Sequence, residues 1–165
     1  MTDKVCVVVG GGKGMGAAIA REMKKRNYRL SLMSPSDSCE NLADELNGIA
    51  YRGRAENSKD TDNLIKFTME KFGRIDSLLI HVGGPPKGDL LEISEDDWKK
   101  ANEMVLMPVI RLSKLITPIM QSQGGGSIVN ITTFSVFEPS LMFPTSSVYR
   151  VCLLYTSDAA DEAIG

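Results

Sequence analysis

Five consecutive apolar residues, Val5-Cys6-Val7-Val8-Val9, run straight into Gly10-Gly11-Gly12-Lys13-Gly14-Met15-Gly16. This junction constrains the fold more than any other feature of the chain. An unbroken apolar run of that length reads as a strand buried on both faces, as in a parallel sheet covered by helices. After the glycines the spacing becomes helical, with Ala17, Ile19, Ala20 and Met23 on the inner side of a helix expected from about Gly14 to Arg26. Gly10, Gly14 and Gly16 fall where the backbone must turn tightly, approach a ligand and pack a helix close to the sheet. Amide groups exposed at that helix start make a site for a pyrophosphate. A glycine-rich loop alone is weak evidence, and a purely structural turn is its other reading. Set between a buried strand and an amphipathic helix, the loop is a much stronger sign of a dinucleotide site.

The alternation then repeats. Tyr28–Met33 reads as a second strand, followed by a polar turn through Ser34-Pro35-Ser36-Asp37, where proline cannot continue a buried ladder. Residues 38–47 read as a helix with Leu42, Ala43 and Leu46 inward, and a third strand is expected within Gly48–Arg54. Asp60 or Thr61 is the expected cap of a helix presenting Leu64, Ile65, Thr68, Met69 and Phe72, which Gly73 ends. Ile75–Val82 is the fourth strand, and Gly83-Gly84-Pro85-Pro86-Lys87-Gly88 a loop. Ser94 is the capping candidate before three acidic residues and Trp98. Pro108 and Pro118 argue against an uninterrupted helix over Trp98–Met120. Ser127–Thr132 is the fifth strand. Strands alternating with helices predict crossover connections and a parallel sheet, with ligands beyond the carboxyl ends of the strands. The loops after Val9, Met33, Val82 and Thr132 therefore share one rim.

Length and charge set the outer bounds. A chain of 165 residues suits one domain with a core of its own. Nineteen basic against twenty-one acidic residues leave a net charge of −2, which gives no electrostatic reason to expect nucleic acid. No apolar run is long enough for a membrane span and no signal-peptide pattern opens the chain, so a cytoplasmic protein is the expectation. Three scattered cysteines and one histidine indicate neither a disulfide framework nor a metal site.

In order along residues 4–151, these segments resemble the short-chain dehydrogenase/reductase family, and within it the branch named for 3-oxoacyl-carrier-protein reductase. Gly10–Gly16 matches the family's cofactor loop, with Val9 where threonine is usual. His81-Val82-Gly83-Gly84 stands where Asn-Asn-Ala-Gly is common, and Gly84-Pro85-Pro86 looks like a variant of the reductase-like branch. Gly126–Thr133 resembles the strand leading to the catalytic hydroxyl. The resemblance implies a Rossmann-type, doubly wound, three-layer α/β fold, and hydride transfer between a nicotinamide cofactor and a small carbonyl or alcohol substrate. It also implies a homo-dimer or homo-tetramer for an intact parent. The cofactor would be held by Gly10, Gly12, Lys13, Gly14, Met15, Gly16, Ser34, His81, Val82, Gly83, Gly84 and Arg150.

The catalytic positions depart from the family pattern. Thr133 falls on the serine position and keeps a hydroxyl, whereas Ser146 stands in place of tyrosine and Arg150 in place of lysine. Tyr149 is one residue from the basic position, so on a helix it points about 100° away and is not expected to reach the place of residue 146. A serine hydroxyl is a poor acid or base near neutrality and arginine keeps its proton, so Arg150 can hold ribose hydroxyls or stabilise an alkoxide but cannot shuttle a proton. Val105 occupies the position of the family's water-holding asparagine; its expected role is packing. Asn130 is expected to satisfy backbone groups. No carboxylate follows the second strand at Ser34, and Lys13 is available to a 2′-phosphate, so NADP(H) is favoured over NAD(H). A noncatalytic NAD(P)-binding regulator and a methyltransferase are the alternatives.

Cys152-Leu153-Leu154-Tyr155-Thr156-Ser157-Asp158-Ala159-Ala160-Asp161-Glu162 resembles a translated sequencing-library adapter. The expectation is a dinucleotide-binding domain over residues 1–151 that is incomplete at its carboxyl end, a non-native tail over 152–165, and an inactive fragment of an active parent.

Overall fold

A computed structural model describes residues 4–162, with side chains as far as Tyr155. Five strands, β1 (Val5–Val9), β2 (Arg29–Ser34), β3 (Ile49–Arg52), β4 (Ser77–Ile80) and β5 (Ser127–Asn130), form one parallel sheet in the order β3-β2-β1-β4-β5. The helices are α1 (Gly14–Lys25), α2 (Ser38–Leu46), α3 (Ser58–Phe72), α4 (Glu95–Ala101), α5 (Met107–Ser122) and α6 (Pro144–Glu162). Strand order reverses at β1, so the chain leaves the sheet in opposite directions from β1 and β4 and opens a crevice at their carboxyl ends. Val9 pairs with both Met33 and Ile80, and Ile80 with Asn130, which brings those ends to one level.

The apolar run of β1 explains the three layers. Its side chains alternate across the sheet. Val7 and Val9 join Leu64 of α3 and Leu112 and Ile116 of α5 on one face. Cys6 and Val8 join Ala17 and Ala20 of α1 and Leu42 of α2 on the other. Every residue of β1 is buried, and a polar substitution there would strand an unpaired group in one core or the other.

Local readings hold with several shifts. β2 begins and ends one residue later than expected, and the ladder of β4 is shorter, although Ile75 and Val82 outside it remain buried. β5 ends at Asn130 rather than Thr132. The cap of α3 is Asn57, whose side chain accepts from the Lys59 amide, not Asp60 or Thr61. Asp60 instead accepts from the Arg54 amide at 2.8 Å, and Thr61 is buried and donates to Ser58 O. Cys39 in its polar surroundings is fully buried, its thiol directed at the carbonyls of Ser34 and Ser36. Ser94 caps α4 as expected. The break expected from the prolines is a π-helical segment, Asn102–Leu106, that ends just before Pro108 in the first turn of α5. Pro118 lies inside α5 without ending it, at the cost of one backbone hydrogen bond. Val105, in the π segment, is fully buried and packs in the core. Across Val151–Cys152 the backbone of α6 continues without a break, and Leu153 is buried in the same core. No helix among the described residues is long and apolar enough to cross a membrane.

One ion pair anchors the far end of the sheet. The Asp76 carboxylate accepts from the Val5 amide at 2.8 Å and from the Arg74 guanidinium at 2.9 and 2.5 Å. The Arg74 hydrogen bonds hold the Asp76 carboxyl below its ordinary range, with the Val5 amide adding to the effect. A depressed folded-state value means that this stabilisation is present above the ordinary carboxylate range and is lost as pH falls through the folded value. Asp76→Asn should therefore lower stability by about 1.5–3 kcal/mol at pH 7. In pH-dependent denaturant melts the gap from the parent chain should close below pH 4, and a gap unchanged down to pH 2 would count against this role.

Candidate active site

The glycine loop is held in its tight path by the neighbouring strand ends. Gly10 N and Gly11 N both donate to Met33 O, at 2.9 and 3.0 Å, and Gly10 has a φ of 78°. A Cβ on Gly10 would lie 2.0 Å from His81 O, and one on Gly16 would lie 2.1 Å from Gly10 O. Gly16 is thus the point where α1 rests against the loop, as its place in the motif predicts. Lys13, the residue before α1, caps it with backbone geometry but no side-chain hydrogen bond, and the first turn contains no acidic residue. Its leading amides keep their capacity for an anion.

Two clefts open from this rim. The first, of about 360 Å³, is lined by Gly10, Gly12, Lys13, Ser34, His81, Val82 and Gly83 among the expected residues. Ser36, Ser38, Arg54 and Glu56 also line it and were not expected from sequence. The density of hydroxyls in Ser34-Pro35-Ser36-Asp37-Ser38 was the available signal; Arg54 and Glu56 carry none, because the β3–α3 connection reaches the rim only through the sheet order. Ser34 Oγ donates to Ser36 O at 3.0 Å, and Ser36 and Ser38 share a 2.7 Å hydroxyl contact. A Cβ on Gly12 would fall 2.2 Å from Ser38 Oγ and 2.6 Å from Ser34 Oγ, so the bare glycine leaves room for this hydroxyl cluster. Arg54 pairs with Glu56 at 3.1 Å on the cleft wall.

The second cleft, of about 280 Å³, lies between the loop after β4 and α6. Here Thr133, Ser146 and Arg150 come together with Met15, Gly84, His81 and Val82. Thr133 caps a 3₁₀ turn over Phe134–Val136; its hydroxyl accepts from the Ser135 amide at 3.4 Å and lies 3.2 Å from Ser135 Oγ. Ser146 and Arg150 share a face of α6, and Arg150 Nη1 donates to Ser146 Oγ at 2.5 Å. The helix is tied to the loop after β4 by Arg150 Nη2, which donates to Gly83 O at 3.4 Å, and by Thr145 Oγ1, which donates to Pro86 O at 2.6 Å. Tyr149 points elsewhere, as expected: its hydroxyl donates to Trp98 O at 3.0 Å, and its ring meets Trp98 edge-on at 6.0 Å. Of the expected cofactor residues, Gly14 lies outside both clefts on a shallow groove along α1, and Gly16 lines no cleft. Lys87, Ser135 and Phe143 line the second cleft beyond those expected.

The electrostatics are one-sided. Arg150 is only 7% exposed, burial pushes its guanidinium below its ordinary value, and its Nε has no hydrogen-bond partner. It remains a cation at neutral pH. His81 is shifted down, first by burial and then by the charge of Arg150, which favours the neutral imidazole. Asn130 does not do all that was expected of it: its side-chain oxygen is buried without a partner.

The residues present fit a nicotinamide dinucleotide. Gly10, Gly12 and the start of α1 offer the bare backbone a pyrophosphate needs, the serines and Lys13 offer donors to a ribose or its phosphate, and Arg150 brings a positive charge to the second cleft. His81 and Val82 line both clefts, so the two spaces share one wall.

Comparison with known proteins accords with this geometry. A family model described as short chain dehydrogenase matches residues 4–149. An uncharacterized oxidoreductase of Thermotoga maritima is 31% identical over 153 residues, which cover 90% of this chain and 59% of the relative. A 3-oxoacyl-[acyl-carrier-protein] reductase of Synechocystis is 29% identical over 140 residues, covering 81% of this chain and 57% of its own length. The chain thus spans somewhat under three fifths of these relatives. Among solved structures, YwfH, an NADPH dependent reductase involved in bacilysin biosynthesis, superposes with a TM-score of 0.92 at 19% identity, covering 96% of this chain and 65% of YwfH. From the glycine loop through the hydroxyl strand to α6, the chain belongs to the short chain dehydrogenase family.

Proposed function

We propose that the protein of which this chain forms part is an NAD(P)-dependent oxidoreductase that interconverts a small carbonyl compound and its alcohol. The observation carrying this reading is the shared wall: His81 and Val82 join a cleft of about 360 Å³ at the glycine loop to a second cleft holding Thr133, Ser146 and Arg150. A bound nicotinamide cofactor would supply or accept the hydride. Thr133 and Ser146 would hold the substrate oxygen by hydrogen bonds, and Arg150 would bind ribose hydroxyls while lowering the energy of negative charge on that oxygen. No side chain of this trio exchanges a proton readily near neutrality, so the proton would come from solvent or a neighbouring group. The Synechocystis relative favours a 3-oxoacyl type of substrate.

NADP(H) is the preferred cofactor in this reading. Ser34 ends β2 where a carboxylate would repel a 2′-phosphate, and Lys13 brings a positive charge, unpaired among the described residues, to the same cleft, where Arg54 is paired with Glu56. Fluorescence titration should show NADPH binding about tenfold tighter than NADH, the worth of one charge-assisted contact, and Lys13→Ala should close most of that gap. Binding of neither cofactor by the folded protein would end the oxidoreductase reading. In a form extended to the length of its relatives, Thr133→Val should cut carbonyl reduction by about 10²–10³-fold, and the chain as it stands should turn over far more slowly than that form.

A noncatalytic NAD(P)-binding role is the second reading, favoured by the orientation of Tyr149 toward Trp98 and away from the cleft. Tight NADPH binding with no turnover by the extended form would select it. We also assign residues 1–151 to the cofactor-binding domain and 152–165 to a foreign tail, which genomic sequence across the Val151–Cys152 junction would test. For the extended form a homo-dimer or homo-tetramer is expected in sedimentation velocity.

A further inference from the structure

We propose that the second cleft takes a carbonyl compound bearing an anionic group, a carboxylate or a phosphate, and that Lys87 and Arg150 are the residues that select it. The proposal rests on reading this cleft as the carbonyl site and adds the charge class of its occupant.

The argument begins with what Arg150 lacks. The two half-buried arginines of the chain each have a carboxylate: Arg74 pairs with Asp76 at 2.5 Å and Arg111 with Glu103 at 2.5 Å. Arg150 is more deeply buried than either, and among the described residues no acidic side chain pairs with it. Its two contacts are neutral oxygens, Ser146 Oγ and Gly83 O, and its Nε is left over. A buried guanidinium without a counter-charge is costly to keep for structure alone. Arg150 is also one of the residues lining the second cleft.

A second cation faces the same space. Lys87 also lines the cleft, its Nζ 5.2 Å from the centroid of the Phe143 ring, another lining residue. No aspartate or glutamate among the described residues lines this cleft, in contrast to the first cleft, where Glu56 neutralises Arg54. The rest of the wall is apolar, from Pro85, Pro86, Ile131 and Phe143, or hydroxylic, from Thr133 and Ser135, with the His81 imidazole shifted toward its neutral form. Apolar walls weaken solvent screening and so strengthen the attraction of both cations for an anion. The hydroxyls then remain free for the carbonyl oxygen. A substrate with its carbonyl at Thr133 and Ser146 and its negative group toward Lys87 and Arg150 engages both cations and these hydroxyls at once.

Acetoacetate and its uncharged methyl ester are the probes, titrated calorimetrically into the chain at low and at physiological salt, with and without saturating NADPH. Acetoacetate should bind about tenfold more tightly than the ester at low salt, with the margin shrinking as salt rises. Lys87→Gln, at an exposed position that does not threaten folding, should reduce the margin by about threefold. Dihydroxyacetone phosphate against dihydroxyacetone separates a phosphate preference from a carboxylate one. Equal affinity for acid and ester, with both bound or neither, overturns the proposal. So does a preference that vanishes once NADPH is bound, since the positive charge would then serve the dinucleotide. An acid preference without any NADPH binding removes the oxidoreductase reading and leaves the anion cleft standing, whereas NADPH binding without an acid preference does the reverse.

Discussion

Gly10→Ala should destabilise the fold by about 3 kcal/mol, adding roughly 1–2 kcal/mol for a side chain in the left-handed region to an overpacking cost of about 1–3 kcal/mol. The left-handed cost arises because Gly10 has a φ of 78°, and the overpacking because its new Cβ would sit 2.0 Å from His81 O, a backbone atom of the residue whose amide donates to Val9 O. At this chain length the melting temperature should fall by roughly 6–12 °C, with loss of dinucleotide binding as the loop is pushed off Met33 O. Gly12→Ala is the informative control. Its Cβ would meet the hydroxyls of Ser38 and Ser34, which can rotate away, and approach Ser34 Cβ to 3.0 Å, and its φ is not positive. It should melt within about 3 °C of the parent while weakening NADPH more than NADH. Equal melting losses for the two variants would show that the tight turn is not where the constraint lies.

Arg150→Met should separate stability from function more sharply than any other substitution in the chain. Replacing an unpaired buried cation by an apolar side chain of similar length leaves stability unchanged or raises it by up to about 2 kcal/mol, because the bonds lost go to a serine hydroxyl and to one carbonyl in an exposed loop residue. NADPH affinity should fall about tenfold, and carbonyl reduction by the extended form about 10²-fold. A melting temperature that drops by more than about 6 °C would mean the guanidinium is held for architecture.

Much of this was legible in the chain because the signals were local. The run Val5–Val9 encodes a two-faced strand whatever its neighbours do, and the helical spacings that follow it place α1 to within a residue and the end of α3 at Gly73. The shared face of Ser146 and Arg150, and the exclusion of Tyr149 from it, follow from helix geometry alone. What was missed depended on competition or on distance. Asn57, Asp60 and Thr61 all have capping chemistry, and which one wins is decided by where the chain leaves β3, since Asp60 is drawn back to the Arg54 amide. Cys39 is buried because α2 lays it against the carbonyls beyond β2, an arrangement its polar neighbours in sequence conceal. Arg54 reaches its cleft through crossover topology, and no motif within its own segment announces it. The loneliness of Arg150 is equally invisible in sequence, since it is a statement about every acid that stays away.

The single wall formed by His81 and Val82 has a thermodynamic consequence. Two molecules that both touch His81 are coupled to the extent that one changes how that residue meets the other. The free energy of that influence is the same in either order of addition, so the clefts form a coupled pair whose affinities are each meaningful only with the occupancy of the other stated.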